Sequence, residues 1–459
     1  MTAHQFFVDF ALASILILAG QFIRTKIVFF QKYFIPSSVI AGFLGLALGP
    51  NGFALLPFSS IGSYAGILII LIFTIVGVNG FEFKKGSGKH EAKRIVGYQI
   101  YRLVALFMQF ALPILLMVLV FKKLWPDLNE GFGMLMAAGF YGGHGTAAAV
   151  GDTFATLGWP DAMDLAITFA TIGILLGVFG GIVLINLAVK KNQTAYITSF
   201  DKIPGDLRTG LISKENRRPI GDETISPVSL DTLCFHLSII LGISGVSYLI
   251  NVWIGNNLLA GVPDFTIAYI IALIFFLVFR NTNIYDYIDT GINDKISGTA
   301  TDYLVFFGIA SIRLEVVAAY AGPLALMSLV GAVIVFLMVY PFGKAYNKDS
   351  WFERSIFVYG YSTGVFAIGF VLLRIVDPDN KSRTVEDVAL SPLTSFIEIA
   401  IWSTLPALLM AGQSLPIAGV MFAALAVCAV ATVVTKTWLL KVPDSERIRL
   451  GVDDVKEAN

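Results

Sequence analysis

A cluster of glycines around one histidine contains the residue types most suited to chemistry. The run Gly142, Gly143, His144, Gly145 and Thr146 lies inside an apolar segment, where each glycine costs a helix about 1 kcal/mol relative to alanine. A broken helix frees N–H groups that suit an anion and carbonyls that suit a cation, and glycine lets either approach closely. The run therefore predicts a helix break that presents backbone to a ligand, with the histidine as a hydrogen-bonding side chain. The alternative is close helix packing through small residues.

The composition places this glycine run in a membrane. Of 459 residues, 56% are hydrophobic and only 14% are charged, whereas soluble proteins carry about 25% charge. Apolar runs of about 20 residues recur along the chain, each long enough to cross a bilayer as a helix. The sequence predicts an all-α polytopic membrane protein. The net charge of zero gives no support for a nucleic-acid partner.

Several functional classes lack their signatures. The sequence contains no phosphate-binding loop of the G-x-x-x-x-G-K-[ST] type and no channel filter. It also offers no combination of nucleophile, base and orienting residue. We therefore expect neither a primary pump, a channel nor an enzyme, and no cofactor.

A polar linker divides the chain into two halves of similar order. The linker spans 190–229, and the halves span 1–189 and 230–411. Each half holds six apolar segments, of which the fifth contains glycine-rich sequence. The remaining residues, 412–459, comprise one more apolar helix and a charged tail.

The basic residues predict that the fifth segment of each half does not cross the membrane. Cytoplasmic loops carry an excess of Lys and Arg. If 131–156 and 355–376 are re-entrant hairpins and the N-terminus lies outside, 28 of the 32 Lys and Arg residues fall on the cytoplasmic side or at its edge. Five crossings per half would invert the second half relative to the first. Inverted repeats with interrupted helices at the midplane are an architecture of secondary transporters.

Polar residues within these segments complete the candidates. The tip of the second hairpin would be Ser362, Thr363 and Gly364, whose backbone and hydroxyls suit a carboxylate. Acids inside a membrane are functional hypotheses by default, and Asp152 and Glu398 fit that description. The alternative for each acid is a structural hydrogen bond with a neighbouring hydroxyl, amide or arginine.

Four stretches of the first half resemble the bacterial sodium/glutamate symporter family. They are KYFIPSSVIAGFLGLALG from Lys32, FTIVGVNGFEF from Phe73, GGHGTAAA from Gly142 and FATIGILLGVFGG from Phe169. The resemblance in order and spacing extends over about 1–411. It implies two inverted repeats, sodium-driven transport of glutamate, and a homodimer in which a transport domain carrying both hairpins moves against a scaffold.

The second half departs from that family in two places. The family has a Gly-Ala-Thr-Pro stretch in its second hairpin, whereas this chain reads YGYSTGVFAIGF from Tyr359 to Phe370. Glu398 stands about where the family has an aspartate. The resemblance therefore supports the fold more strongly than it supports glutamate as the substrate.

Together these observations predict a sodium-coupled transporter of glutamate or a related carboxylate, working by elevator-like alternating access in the bacterial inner membrane. The N-terminus would lie outside and the C-terminus in the cytoplasm. The tip residues of both hairpins would bind the substrate, and Na+ would be the coupling ion. The candidates for ion binding are four polar side chains: Asn79, Thr171, Asp152 and Glu398.

Three alternatives remain open at the level of sequence. The first is a cation/proton antiporter, in which Asp152 and Glu398 exchange ions and no organic solute binds. The second is a symporter of a different organic anion. The third is a receptor or scaffold that transports nothing and has a rigid, filled midplane.

Overall fold

The computed structural model describes residues 2–33, 35–80, 89–196, 209–217, 219–257, 262–364, 366–377, 381–388 and 392–439. Within these ranges the regular structure is helical throughout and contains no strand. The all-α prediction is therefore confirmed. Part of the proposed linker, 197–208, and nearly all of the proposed tail, 440–459, lie outside the described residues.

The helices of the first half follow the apolar segments, and their ends follow local sequence signals. Thr2 and Gln5 form a capping box at the start of the first helix, and Gly80, with φ of +55°, ends the third. The helices are α1 (Ala3–Lys26), α2 (Ser37–Leu48), α3 (Tyr64–Asn79), α4 (Lys89–Leu116), α5 (Phe132–Phe140), α6 (Gly143–Thr156) and α7 (Ala162–Lys190).

The second half continues in the same order after the linker. Its helices are α8 (Thr232–Asn257), α9 (Asp264–Phe279), α10 (Thr290–Ala310), α11 (Ala321–Leu337), α12 (Trp351–Tyr361), α13 (Phe366–Val376) and α14 (Pro392–Met410), followed by α15 (Ser414–Thr435). Short helices connect some of them: Val28–Lys32, Leu314–Ala319 and Thr384–Val388.

Six helical stretches in the described residues are long and apolar enough to cross a bilayer. They are Ala3–Lys26, Ala92–Leu124, Ala162–Lys190, Thr232–Asn257, Ala321–Tyr346 and Ser414–Thr435. Shorter apolar helices, including α2, α3 and α9, pack among them. This pattern is that of a multi-pass membrane protein.

The helix that precedes the fifth segment in each half contains a π-helical stretch. Directly after α4 the stretch is Met117–Phe121, which follows Pro113, and directly after α11 it is Met338–Phe342, which includes Pro341. Proline removes a backbone donor and crowds the carbonyl four residues earlier, so a local widening of the helix around Pro341 relieves the conflict, whereas Pro113 lies four residues before its π-helical stretch. The same device thus occurs in both halves.

Helices α5 and α6 form a hairpin, called here the first hairpin. A Cβ on Gly131, just before α5, would lie 2.5 Å from the ring of Phe154, near the end of α6. The first arm therefore begins where the second arm ends. The turn falls at the glycine run, where Gly143 has φ of +66°, a conformation that costs other residues about 1–2 kcal/mol. The predicted helix break is confirmed.

Helices α12 and α13 form the second hairpin. The rings of Phe357 and Phe370 lie 5.0 Å apart, and a Cβ on Gly360 would lie 2.7 Å from the backbone nitrogen of Gly369. Such close approach of the two arms requires glycine on both sides. The turn contains Ser362–Gly364, as the sequence predicts.

A buried ion-pair cluster fixes the base of the second hairpin. Asp387, with no exposed surface, contacts Arg94 of α4 at 2.9 Å and Arg354 of α12 at 2.7 Å. The guanidinium of Arg354 also lies 4.4 Å from the ring centroid of Tyr98. Nearby, the backbone N–H of Ala195 in the linker donates to the Glu353 carboxylate. The hairpin base is thereby attached both to α4 and to the start of the linker.

A single carboxylate fixes the start of α10 and a second part of the linker. Asp289 is the N-cap: its Oδ1 accepts from the Ile292 N–H at 2.9 Å and its Oδ2 from the Asp222 N–H at 2.8 Å. Its own N–H donates to Nε2 of His236. Burial raises the pKa of the Asp289 carboxyl, but the backbone N–H groups and His236 outweigh it, so the pKa lies below its ordinary value.

Replacing Asp289 with alanine should lower the free energy of unfolding by about 1–2 kcal/mol at neutral pH, because α10 loses its cap. The stabilisation should vanish as the pH falls below about 4, since a lowered pKa means that the unfolded chain takes up the proton first. Thermal unfolding of the detergent-purified variants measures both effects. Asp286→Ala, at an exposed position in the same loop, is the control, and equal melting temperatures for the two variants would refute the capping role.

Candidate functional site

The tips of the two hairpins meet. The ring of Tyr141 at the first tip lies 4.7 Å from that of Tyr361 at the second, in an edge-to-face arrangement. Both hydroxyls donate to the Glu398 carboxylate, from Tyr141 at 3.3 Å and from Tyr361 at 3.4 Å. A carboxylate on a third helix, α14, therefore bridges the two tips.

A buried arginine lies at the same junction. Arg102 of α4 is 1% exposed, and its Nη2 lies 3.8 Å from Oε1 of Glu398. Its guanidinium is 4.7 Å from the centroid of the Tyr361 ring, and its Nη1 donates to Gln99 at 2.8 Å. The junction thus combines one positive and one negative side chain with two aromatic hydroxyls.

Helix α4 directs a second polar side chain toward the second tip. Gln109 follows Arg102 by seven residues, a spacing that places both on one face of a helix. Its Nε2 donates to the backbone carbonyl of Ser362 at 2.8 Å. The second tip is therefore held by α4 through Tyr361 and through Ser362.

Helix α7 contacts both tips through glycine. A Cβ on Gly173 would lie 2.5 Å from the carbonyl oxygen of Thr363 and 3.1 Å from the ring of Phe140. The next turn repeats the arrangement, because a Cβ on Gly177 would overlap the Thr363 hydroxyl. The backbone of α7 can approach the second tip this closely only because these two positions lack side chains.

Two of the residues chosen from sequence contact each other beside the first tip. His144 Nε2 lies 3.1 Å from the hydroxyl of Thr171 on α7, and the histidine has no exposed surface. The Thr171 hydroxyl also donates to the carbonyl of Ile167 at 2.9 Å, so the histidine nitrogen is best placed as the donor to threonine.

Three buried polar atoms around the tips have no hydrogen-bond partner within the described residues. They are His144 Nδ1, Gln109 Oε1 and Ser362 Oγ. Buried polar groups are nearly always paired, by protein, water or a ligand. The concentration of unsatisfied atoms at both tips is what a site for a polar ligand or an ion requires.

Asp152 lies apart from this junction. It lines a cavity of about 640 Å³ between α6, α3 and α8, together with Asp264, Ser244 and Tyr248. Asp264 accepts a hydrogen bond from Asn251 at 2.6 Å. The cavity contains two carboxylates, and its charge favours cations.

Asn79 also lies apart from the tips, at the C-terminal end of α3. Its Nδ2 donates to Asp294 at 2.9 Å, and its Oδ1 accepts from Asn293 at 2.8 Å. Both ends of the amide are thus used in holding α3 to α10. Of the four ion-binding candidates, the structure brings Thr171 and Glu398 to the tips and leaves Asn79 and Asp152 elsewhere.

Another buried acid shows what a purely structural carboxylate looks like in this protein. Asp9 of α1 has no exposed surface and accepts from the Ser59 N–H and hydroxyl, the Ser60 N–H and the Tyr64 hydroxyl at 2.7–3.2 Å. Its oxygens are fully satisfied by local groups. Glu398, with contacts of 3.3 Å and longer, is held much more loosely.

Sequence reasoning missed four residues of the junction: Arg102, Gln109, Tyr141 and Tyr361. A charged residue in the middle of an apolar run was the signal for Arg102, and the seven-residue spacing was the signal for Gln109. The two tyrosines carried no such signal. Each is next to a predicted tip, but each resembles an ordinary aromatic core residue.

Gly173→Ala should lower the free energy of unfolding by about 1–3 kcal/mol, because the new methyl group would meet the backbone of the second tip rather than a side chain that can turn away. Gly242→Ala in α8 is the matched control, since a Cβ there meets nothing within 4 Å. Thermal unfolding of both variants in one detergent gives the comparison. A Gly173→Ala protein as stable as the control would show that α7 does not hold the tip at this point.

Comparison with known proteins connects this geometry to a family. No curated protein matches the chain at a significant level. The family model for the sodium/glutamate symporter matches residues 5–348, three quarters of the sequence, whereas the second hairpin and Glu398 lie beyond the matched range. The chain therefore belongs to the sodium/glutamate symporter family.

Proposed function

We propose that the protein is a secondary transporter that couples inward movement of Na+ to uptake of glutamate or a related carboxylate. Two findings support this function: membership of the symporter family, and the meeting of both hairpin tips on the Arg102–Glu398 pair. The second finding carries the proposal. A buried cation, a half-buried carboxylate and unsatisfied polar atoms at two helix breaks form the polar environment that an ionic solute needs inside a membrane.

The tips would bind the carboxylates of the solute. Backbone N–H groups of Gly143–Gly145 and Thr363–Gly364 lie at the helix breaks, whereas those of Gly142 and Ser362 donate to carbonyls of their own helices. The hydroxyls of Thr146 and Ser362 add donors, but the Thr363 hydroxyl already donates to the Tyr359 carbonyl at 2.9 Å. Ser362 Oγ, which has no hydrogen-bond partner among the described residues, supports this assignment most directly.

Sodium would bind through oxygen atoms near the same junction. The Thr171 hydroxyl and the Glu398 carboxylate are the candidates that lie close to the tips. Asp152 would act earlier on the route, by attracting cations to the cavity that it shares with Asp264. The amide of Asn79, held at both ends, would fix the position of α3 instead.

The transport cycle would be elevator-like, with both hairpins moving as part of one body in each protomer of a homodimer. The halves would be inverted repeats, and the recurrence of a π-helical stretch before each hairpin favours that relation. The protein would lie in the bacterial inner membrane, with the N-terminus outside and the C-terminus in the cytoplasm.

A symporter of a different organic anion is the main alternative, because the second hairpin lies outside the range matched by the family model. A cation/proton antiporter has weaker support. Asp152 lines a cavity with Asp264, whereas Glu398 contacts the tips, so the two acids do not share one ion site.

Purified protein in proteoliposomes should accumulate labelled glutamate when an inward Na+ gradient is imposed, and should not do so when choline replaces Na+. Unlabelled aspartate, glutamate and dicarboxylates without an amino group, added in excess, identify the preferred anion. If labelled glutamate is not taken up, Na+-dependent uptake of another labelled anion would select the alternative substrate. Sodium-driven proton movement without any organic solute would favour the antiporter function over the symporter function.

A further inference from the structure

Arg102 needs a negative partner both when a solute is bound and when the transporter is empty. A buried arginine in a membrane protein is costly unless a negative group accompanies it. A solute carboxylate can be that group while the transporter is loaded. The transporter must also return empty, and Arg102 then needs another partner.

Glu398 is placed to be that partner. Its carboxylate lies 3.8 Å from the Arg102 guanidinium, so an ionised Glu398 makes the pair neutral as a unit. The contact is loose compared with other arginine pairs of the molecule, such as Arg354–Asp387 and Arg313–Asp164, both at 2.7 Å. A long contact of this kind can be exchanged for another carboxylate with little loss.

The same carboxylate also connects the two hairpins. Tyr141 and Tyr361 donate to Glu398 from opposite tips at 3.3 and 3.4 Å. At the second tip, where Gln109 donates to the Ser362 carbonyl, Gln109 Oε1 and Ser362 Oγ are buried without partners in the described part of the chain. The arrangement therefore combines a held carboxylate with polar atoms that are still unsatisfied.

We propose that Glu398 is an internal substitute for the carboxylate of the solute. In the empty transporter it neutralises Arg102 and bridges the two tips. An incoming carboxylate binds Arg102 in its place, and Glu398 is then available to a cationic group of the solute or to the coupling ion. This role rests on the proposed function, because it assumes a carboxylate solute.

The role predicts different effects on two modes of transport. Net uptake requires the empty transporter to reorient, whereas exchange of internal for external solute uses only the loaded form. In Glu398→Gln, net uptake of glutamate should fall at least about tenfold relative to exchange, because the empty form would carry Arg102 without a counter-charge. Both rates are measured with labelled glutamate in the same proteoliposomes.

Controls separate this role from a structural one. Glu315→Gln, the same substitution at an exposed position, should leave the ratio of net uptake to exchange unchanged. Arg102→Gln should reduce both modes together, because it removes the group that binds the carboxylate. If Glu398→Gln cannot be purified as a folded protein, Tyr141→Phe tests the same point: it weakens the hold on Glu398 and should shift the ratio in the same direction by a smaller factor.

An equal fall of both modes in Glu398→Gln would overturn the proposal and make Glu398 a ligand of the solute or ion alone. Wild-type rates of both modes in this variant would also overturn it. If the wild-type protein neither takes up nor exchanges any carboxylate, the proposed function fails first, and the role of Glu398 fails with it. The wild-type measurement therefore distinguishes the two failures.

Discussion

The pairing of Arg102 with Glu398 is the interaction around which the rest of the molecule is arranged. A charge in the interior of a membrane protein requires a counter-charge and polar neighbours, and these come from separate parts of the sequence. Arg102 lies on α4, Glu398 on α14, and the bridging tyrosines on the two hairpins. Bringing four elements to one ion pair fixes how the hairpins lie against each other and against the long helices.

The hairpins can reach this point because glycine removes the steric obstacles. Gly143 supplies the left-handed backbone of the first turn, and Gly360 and Gly369 let the arms of the second lie together. Gly173 then lets α7 contact both tips. The buried cluster around Asp387 fixes the base of the second hairpin, so the hairpin is held at its base as well as at its tip.

Much of the fold could be predicted from the sequence, because each membrane helix is recognised from one continuous apolar stretch. Apolar runs gave the helices, the basic residues favoured hairpins at 131–156 and 355–376, and the glycine run at Gly142–Gly145 gave the break. The site was harder. It depends on Tyr141, Tyr361 and Arg102 meeting across more than 250 residues of chain, and no local pattern encodes such a meeting. Asn79 shows the same limit, because the sequence does not reveal that its amide bonds to Asn293 and Asp294 of α10.

The π-helical stretches after Pro113 and at Pro341 rotate the part of the helix that follows them about the helix axis. An α-helix turns by about 100° per residue, so one extra residue within a turn rotates everything beyond it by about that angle. In each half this rotation comes just before the hairpin begins. The one-residue offset therefore sets the side of the preceding helix from which the chain leaves toward each hairpin, and losing one residue there would rotate that exit by about a quarter turn.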